Sequence, residues 1–154
     1  METLRIRPVE AADGERLREI TAAAKALWDY DPQRVAVWAA QLDFSATALA
    51  ARETHVAEQG DRIVAYAALV QEGETVILDD LWVDPPSIGE GIGARLFTVA
   101  LERARELRAK RLEWESEPNA VGFYEKMGGR WLRDSEPSSW GRILPVMAID
   151  LETD

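Results

Sequence analysis

The stretch richest in chemistry is Val83-Asp84-Pro85-Pro86-Ser87-Ile88-Gly89-Glu90-Gly91-Ile92-Gly93-Ala94-Arg95-Leu96. Glycines at alternate positions let the main chain approach a ligand with no Cβ in the way. They stand at the start of a long helical pattern, where the first turn offers unpaired N–H groups and the positive end of the helix dipole. Together these make an anion site suited to a pyrophosphate; the plainer alternative is a glycine-rich turn before a helix. A Walker loop requires Gly-Lys-Ser/Thr, and Gly93 is followed by Ala94-Arg95, so that class is excluded. A dinucleotide fingerprint, G-x-G-x-x-G/A, matches loosely through Gly89, Gly91 and Ala94, with Glu113 spaced for a ribose hydroxyl. Its context is poor, because that loop should follow a strand at once, and here Asp84 to Ile88 intervene.

The elements that must position this loop are legible in outline. Leu4 to Val9 alternates apolar and basic residues and predicts a strand. Asp13 precedes a helical pattern with Leu17, Ile20, Ala24 and Leu27 on one face. Asp31-Pro32 predicts a second helix running to about Leu42, with Asp as N-cap and Pro at the first helical position. A short third helix covers Ala46 to Ala51. Thr54 to Glu58, Arg62 to Gln71 and Thr75 to Asp84 predict strands separated by turn compositions around Gly60 and Gly73, an antiparallel meander. Pro85-Pro86 stops the third. A long helix from about Gly91 to Arg108 comes next, with Ile92, Leu96, Val99, Arg103 and Leu107 on a shared face. Arg111 to Glu115 predicts a strand, Asn119 caps a short helix that Gly128-Gly129 ends, and strands near Trp131 to Ser135 and Leu144 to Asp150 finish the chain. The order is βααβββαβαββ: an α/β (mixed α+β) fold, a mostly antiparallel sheet with helices on its faces, in one domain over residues 1–154.

Composition narrows the chemistry. The chain has no cysteine and one histidine, His55. Disulfides, thiolate or histidine metal clusters and a cysteine nucleophile are therefore not expected, and no metal is. The charged N-terminal residues and the lack of any run of about 18 apolar residues predict neither a leader nor a membrane span; a cytoplasmic location fits best. A net charge of −10 disfavours nucleic acid, though one pocket can still be basic enough for a phosphorylated cofactor.

Three segments in order carry a family resemblance. Ile88-Gly89-Glu90-Gly91-Ile92-Gly93 is similar to the acetyl-CoA loop, Q/R-x-x-G-x-G/A, of the GNAT acetyltransferase superfamily. Leu81-Trp82-Val83-Asp84-Pro85 resembles the end of that family's fourth strand. Asn119-Ala120-Val121-Gly122-Phe123-Tyr124-Glu125-Lys126-Met127-Gly128 resembles its Asn-Ala-x-x-Phe-Tyr-x-x-x-Gly segment. Ile6-Arg7-Pro8-Val9 with Asp13 resembles its first strand and helix. Lys25-Ala26-Leu27-Trp28-Asp29-Tyr30-Asp31 and Gly141-Arg142-Ile143-Leu144-Pro145 are similar to segments of a subgroup whose substrates are poorly defined. Two positions depart from the pattern: Ile88 replaces Gln or Arg, and Glu90 replaces a common basic residue. A main-chain cradle needs neither side chain, and Arg95 is a compensating cation.

The resemblance implies an N-acetyltransferase that passes an acetyl group from acetyl-CoA to a small-molecule or peptide amine by direct attack in a ternary complex. It implies cofactor contacts from Leu81, Trp82 and Val83, where the fourth strand splays from the fifth, from the loop Ile88, Gly89, Glu90, Gly91, Ile92, Gly93 and Ala94, and from Asn119. It gives Tyr124 the task of protonating the departing thiolate. Asp79 and Asp80, adjacent in a strand, face opposite ways; the resemblance favours Asp79 as base and leaves Asp80 to the acceptor side. His55 is of the residue type that titrates near neutrality, but a lone strand histidine is more often structural. Trp28, Tyr30, Trp38 and Phe44 lie in or beside the first two helices, which the resemblance makes a wall of the acceptor site, with Asp29, Asp31 and Trp140 nearby. These suggest a cationic acceptor held on aromatic faces; the same rings would serve equally as core or as the contacts of a homodimer. Two other readings stay open: a non-catalytic CoA-binding module with a degenerate loop, and a small NAD(P)-dependent oxidoreductase.

Overall fold

A computed structural model describes residues 3–28, 30–138 and 141–151. Among the described residues seven strands hydrogen-bond in the order β1-β2-β3-β4-β5-β7-β6. They are β1 Leu4–Pro8, β2 Glu53–Gln59, β3 Arg62–Glu72, β4 Thr75–Val83, β5 Arg111–Glu115, β6 Arg130–Asp134 and β7 Pro145–Asp150. The helices are α1 Gly14–Ala26, α2 Pro32–Gln41, α3 Ala46–Ala50, α4 Ile92–Glu106 and α5 Val121–Lys126, so the fold is mixed α+β as predicted, and the short α3 adds a third helix before β2 to the expected order. Compactness divides the chain into two units, Met1–Leu69 with Asp80–Thr98, and Val70–Asp79 with Val99–Asp154.

In the first unit β1 pairs antiparallel with β2, and β2 with β3. Leu17 and Ile20 of α1 pack with Phe44, Leu49, Val56, Ile63 and Tyr66. Each such side chain contributes about 1.5–3 kcal/mol by leaving water. The buried Tyr66 hydroxyl donates to Thr21 Oγ1 at 2.5 Å, and Thr21 donates onward to Leu17 O at 2.7 Å, so this polar pair is satisfied inside the core. Arg18 Nη1 donates to the carbonyls of Ala39 and Leu42, at 2.6 and 2.8 Å, which closes the C-terminal end of α2. Asp31 caps α2 as expected, accepting from Gln33 N at 3.1 Å. Arg7 donates to both Asp13 and Glu58, at 3.0 and 3.1 Å, tying β1 to the entry of α1 and to β2.

In the second unit the start of β4 runs parallel to β5, and β5 and β6 each pair antiparallel with β7. Trp114, Leu112 and Met147 are fully buried here. Gly129 lies so close to Trp114 that a Cβ would stand 2.7 Å from the indole, and its N–H donates to Tyr124 O at 2.8 Å. The Gly128-Gly129 stop thus serves two needs: φ of +100° at Gly128 and close packing at Gly129.

Three details differ from expectation. Leu27 is half-exposed: it is the C-cap of α1, past the last residue of the helix, although its own backbone is still helical. In α4 the buried stripe is Ile92, Leu96, Phe97, Ala100 and Ala104; Val99, Arg103 and Leu107 lie on its flank. Asn119 caps no helix: Pro118 opens a 3₁₀ turn over Pro118–Ala120, and α5 starts one residue after it with no side-chain cap.

Candidate active site

The glycine loop is built from the end of β4 forward. Asp84 N–H donates to Val64 O at 2.8 Å, and its carbonyl accepts from Ser87 N at 2.8 Å, closing a 3₁₀ turn over Pro85–Ser87. The chain then turns outward: Ile88, Gly89, Glu90 and Gly91 are all exposed, and the buried Ile92 re-anchors it at the start of α4. Gly89 has φ +92° and Gly91 φ +80°, a region that other residues enter only with strain. A Cβ at either position would meet no heavy atom within 4 Å. The glycines therefore do not serve internal packing; they leave the main chain bare toward open space. The first ladder bond of α4 runs from Arg95 N to Gly91 O, at 3.2 Å, so the N–H groups of Ile92, Gly93 and Ala94 precede the intrahelical ladder. Bare amides at a helix N-terminus suit an anionic diphosphate, and this cradle fits the phosphates of coenzyme A.

Along β4 the parallel pairing with β5 ends at Ile77↔Glu113. Beyond it β5 stays with β7, through Glu115↔Val146 and then Ser116 N to Pro145 O at 2.9 Å. The ladder thus stops ahead of Asp79, earlier than the Leu81-to-Val83 position expected. Leu81, Trp82 and Val83 are half-buried. Asp79 is exposed and Asp80 half-buried, on opposite faces. Both oxygens of Asp80 are engaged: Arg52 Nη1 donates to Oδ2 at 2.7 Å and Trp82 Nε1 to Oδ1 at 3.1 Å. The Trp82 bond was foreseeable from the i, i+2 spacing. Arg52, 28 residues away, had no local signal.

The aromatic residues expected on the acceptor side surround a cation of the chain itself. Lys25, only 6% exposed, holds its Nζ 4.2 Å from the Tyr30 ring centroid, 5.6 Å from Trp38 and 6.0 Å from Trp82. Trp28 is half-buried just past α1. Phe44 is core, edge-on to Tyr66 at 6.4 Å. Asp29 and Trp140 lie outside the described residues. His55 on β2 sits 3.1 Å from Glu53 Oε2, a local pair on its own strand.

In the second unit Tyr124, on α5, is 8% exposed; its ring lies 5.0 Å from Trp114 and 5.0 Å from Phe123. Burial pushes its hydroxyl well above the ordinary phenol value, so it keeps its proton at every physiological pH. Asn119 is exposed on the turn before α5. Glu113, spaced for a ribose in the dinucleotide reading, instead accepts from Arg133 Nη1 at 2.8 Å.

The chain belongs to the acetyltransferase (GNAT) family, whose model matches residues 16–129. The peptidyl-lysine N-acetyltransferase YjaB of Salmonella typhimurium is 36% identical over 72 residues, 47% of this chain and 48% of that protein, so the match spans about half the length of the curated relative. The solved structure of PaiA N-acetyltransferase from Thermoplasma acidophilum, in complex with coenzyme A, has a TM-score of 0.84 at 17% identity, covering 97% of this chain and 99% of that one. A GCN5-related N-acetyltransferase from Rhodopseudomonas palustris gives a TM-score of 0.82 at 24% identity over 98% of each chain. At these identities the structural likeness is one of fold. No helix among the described residues is long and apolar enough to cross a membrane.

Proposed function

We propose that this chain is an acetyl-CoA-dependent N-acetyltransferase, residues 1–154 acting as one acyltransferase domain, that acetylates a small-molecule or peptide amine in the cytoplasm. The observation that carries the reading is the pair of open-faced, positive-φ glycines at the mouth of α4. Acetyl-CoA, when bound, supplies the thioester whose acetyl group passes to the amine nitrogen. The amides from Gly89 to Ala94 take the phosphates, and the side chains of Ile88 and Glu90 are bystanders. Main-chain groups of Leu81, Trp82 and Val83 take the pantetheine arm and Asn119 the cofactor's far side. Asp80, held by Arg52 and Trp82, fixes the indole of Trp82 at the acceptor side rather than meeting a ligand directly.

Tyr124 presents its hydroxyl to the departing sulfur. Because burial raises its pKa, complete proton delivery to a sulfur of ordinary thiol basicity, pKa about 8.5, is uphill. The hydroxyl therefore acts chiefly as a fixed hydrogen-bond donor. Asp79 receives, through water, the proton the acceptor ammonium must lose. Trp28 and Tyr30 shape the acceptor side. The cation on Tyr30 and Trp38 is Lys25, so a cationic acceptor reaching the same ring faces would have to displace it. The similarity to a peptidyl-lysine N-acetyltransferase adds a peptide lysine to the acceptors worth testing. The reading includes a homodimer, which light scattering on the purified protein would test.

Calorimetry with coenzyme A and acetyl-CoA, paired with thiol release across cationic, neutral, anionic and peptidyl amines, tests the reading. Absence of affinity for either form of the carrier would reject it. The departures at Ile88 and Glu90 favour one rival, a non-catalytic module, and tight binding with no turnover on any acceptor would establish that rival instead.

A further inference from the structure

We infer that Arg16 is a positioning residue for the cofactor loop, acting through Asp84; the inference rests on the reading that the loop holds coenzyme A. Arg16 lies in the first turn of α1, 68 residues before Asp84. Its Nη2 donates to Asp84 Oδ2 at 2.8 Å and its Nε to Ile63 O at 2.9 Å. The two side chains are 20% and 11% exposed. Asp84 is thus tied at three points: main-chain N–H to Val64, carbonyl from Ser87, carboxylate from Arg16. Arg62, at 3.8 Å and largely exposed, adds a looser charge.

Asp84 stands where the strand hands over to the loop. Pro85 and Pro86 have fixed φ and no N–H, so the turn after Asp84 is stiff. An orientation set at Asp84 is carried through that turn to Ile88. From there the glycine loop is exposed until Ile92. Glycine loses more freedom on ordering than any other residue, so a loop without its near anchor must be ordered by the ligand itself. Arg16 removes that cost in advance.

Electrostatics alone predicts the opposite sign for one variant, which makes the idea testable. Removing a carboxylate beside a diphosphate site should tighten binding by Coulomb attraction. Positioning requires Asp84→Asn to weaken it. We expect the Kd for coenzyme A, by calorimetry well below the melting temperature, to rise about tenfold, equal to 1.4 kcal/mol. Turnover at saturating acetyl-CoA stays unchanged. Arg16→Lys, which keeps the charge but cannot span Asp84 and Ile63 together, weakens binding in the same direction and serves if Asp84→Asn does not fold. Arg7→Gln breaks an ion pair of similar burial that joins β1 to the residue before α1 and does not touch Asp84; it lowers the melting temperature and leaves Kd alone. Unchanged or tighter binding by Asp84→Asn, or by Arg16→Lys in its place, overturns the inference while the unaltered chain still binds. No affinity in the unaltered chain refutes the underlying functional reading, and the inference with it.

Discussion

Gly91→Trp is the substitution that most directly tests the loop. At φ +80° a side chain costs about 1–2 kcal/mol of backbone strain. No atom lies within 4 Å of the added Cβ, so no clash adds to that cost. For a chain of this size each kcal/mol moves the melting temperature by about 2–4 °C, which predicts a fall of roughly 2–8 °C in a protein that still folds. Binding should suffer far more. An indole over the loop denies a phosphate two or three main-chain donors, each worth about 1.5–3 kcal/mol to a charged acceptor. Even the lower bound, about 3 kcal/mol, is more than 100-fold in Kd. Gly73→Trp is the matched control, with φ +59° and equally open space in the β3–β4 turn. Scanning calorimetry should show similar stability losses for both variants, and titration calorimetry a loss of coenzyme A affinity for Gly91→Trp alone. Coenzyme A binding by Gly91→Trp within about threefold of the Gly73 control would refute the reasoning.

Four further outcomes are expected. Tyr124→Phe should lower turnover by roughly 100-fold with little change in coenzyme A affinity, as single-turnover kinetics would show; undiminished turnover removes the hydroxyl from the chemistry. Asp79→Asn should reduce kcat/KM for the acceptor and leave carrier binding intact, and equal losses in both would point to a structural role. Glu90→Lys should tighten coenzyme A binding modestly, by less than about 1 kcal/mol, with the gain fading at high salt; a salt-independent effect would contradict a screened surface charge. For Asp13, burial pushes the carboxyl up, but the Arg7 guanidinium and the Glu10 N–H outweigh it, and the group ionises below its ordinary value. A depressed carboxylate stabilises the fold above its unfolded pKa of about 3.8, and that contribution is lost as pH falls through and below it. Urea midpoints between pH 6 and 3 should therefore fall more steeply in the unaltered chain than in Asp13→Asn.

Two features change the picture of the acceptor side. The aromatic faces that invite a cation are turned on Lys25, and the carboxylate of Asp80 is committed to Arg52 and Trp82. Each is held by the chain's own groups. Asp79 is exposed on the other face of the strand.

The sequence by itself determined what depends on neighbours a few residues apart. Asp31-Pro32 had to start a helix, since a carboxylate cap and a fixed φ act within one turn. Gly89 and Gly91 had to make a bare loop, since the freedom to adopt positive φ belongs to the residue itself. Only the tertiary structure decided what depends on segments distant in the chain. Arg52 meets Asp80 across 28 residues, and Arg16 meets Asp84 across 68. Asn119 lost its cap to a turn that Pro118 opens, and Leu27, the C-cap of α1, is half-exposed rather than core. The physical reason is the same throughout. Backbone preference is local and can be read from the order of residues, whereas partner choice among charged and aromatic side chains is settled by which of them folding brings within a few ångströms.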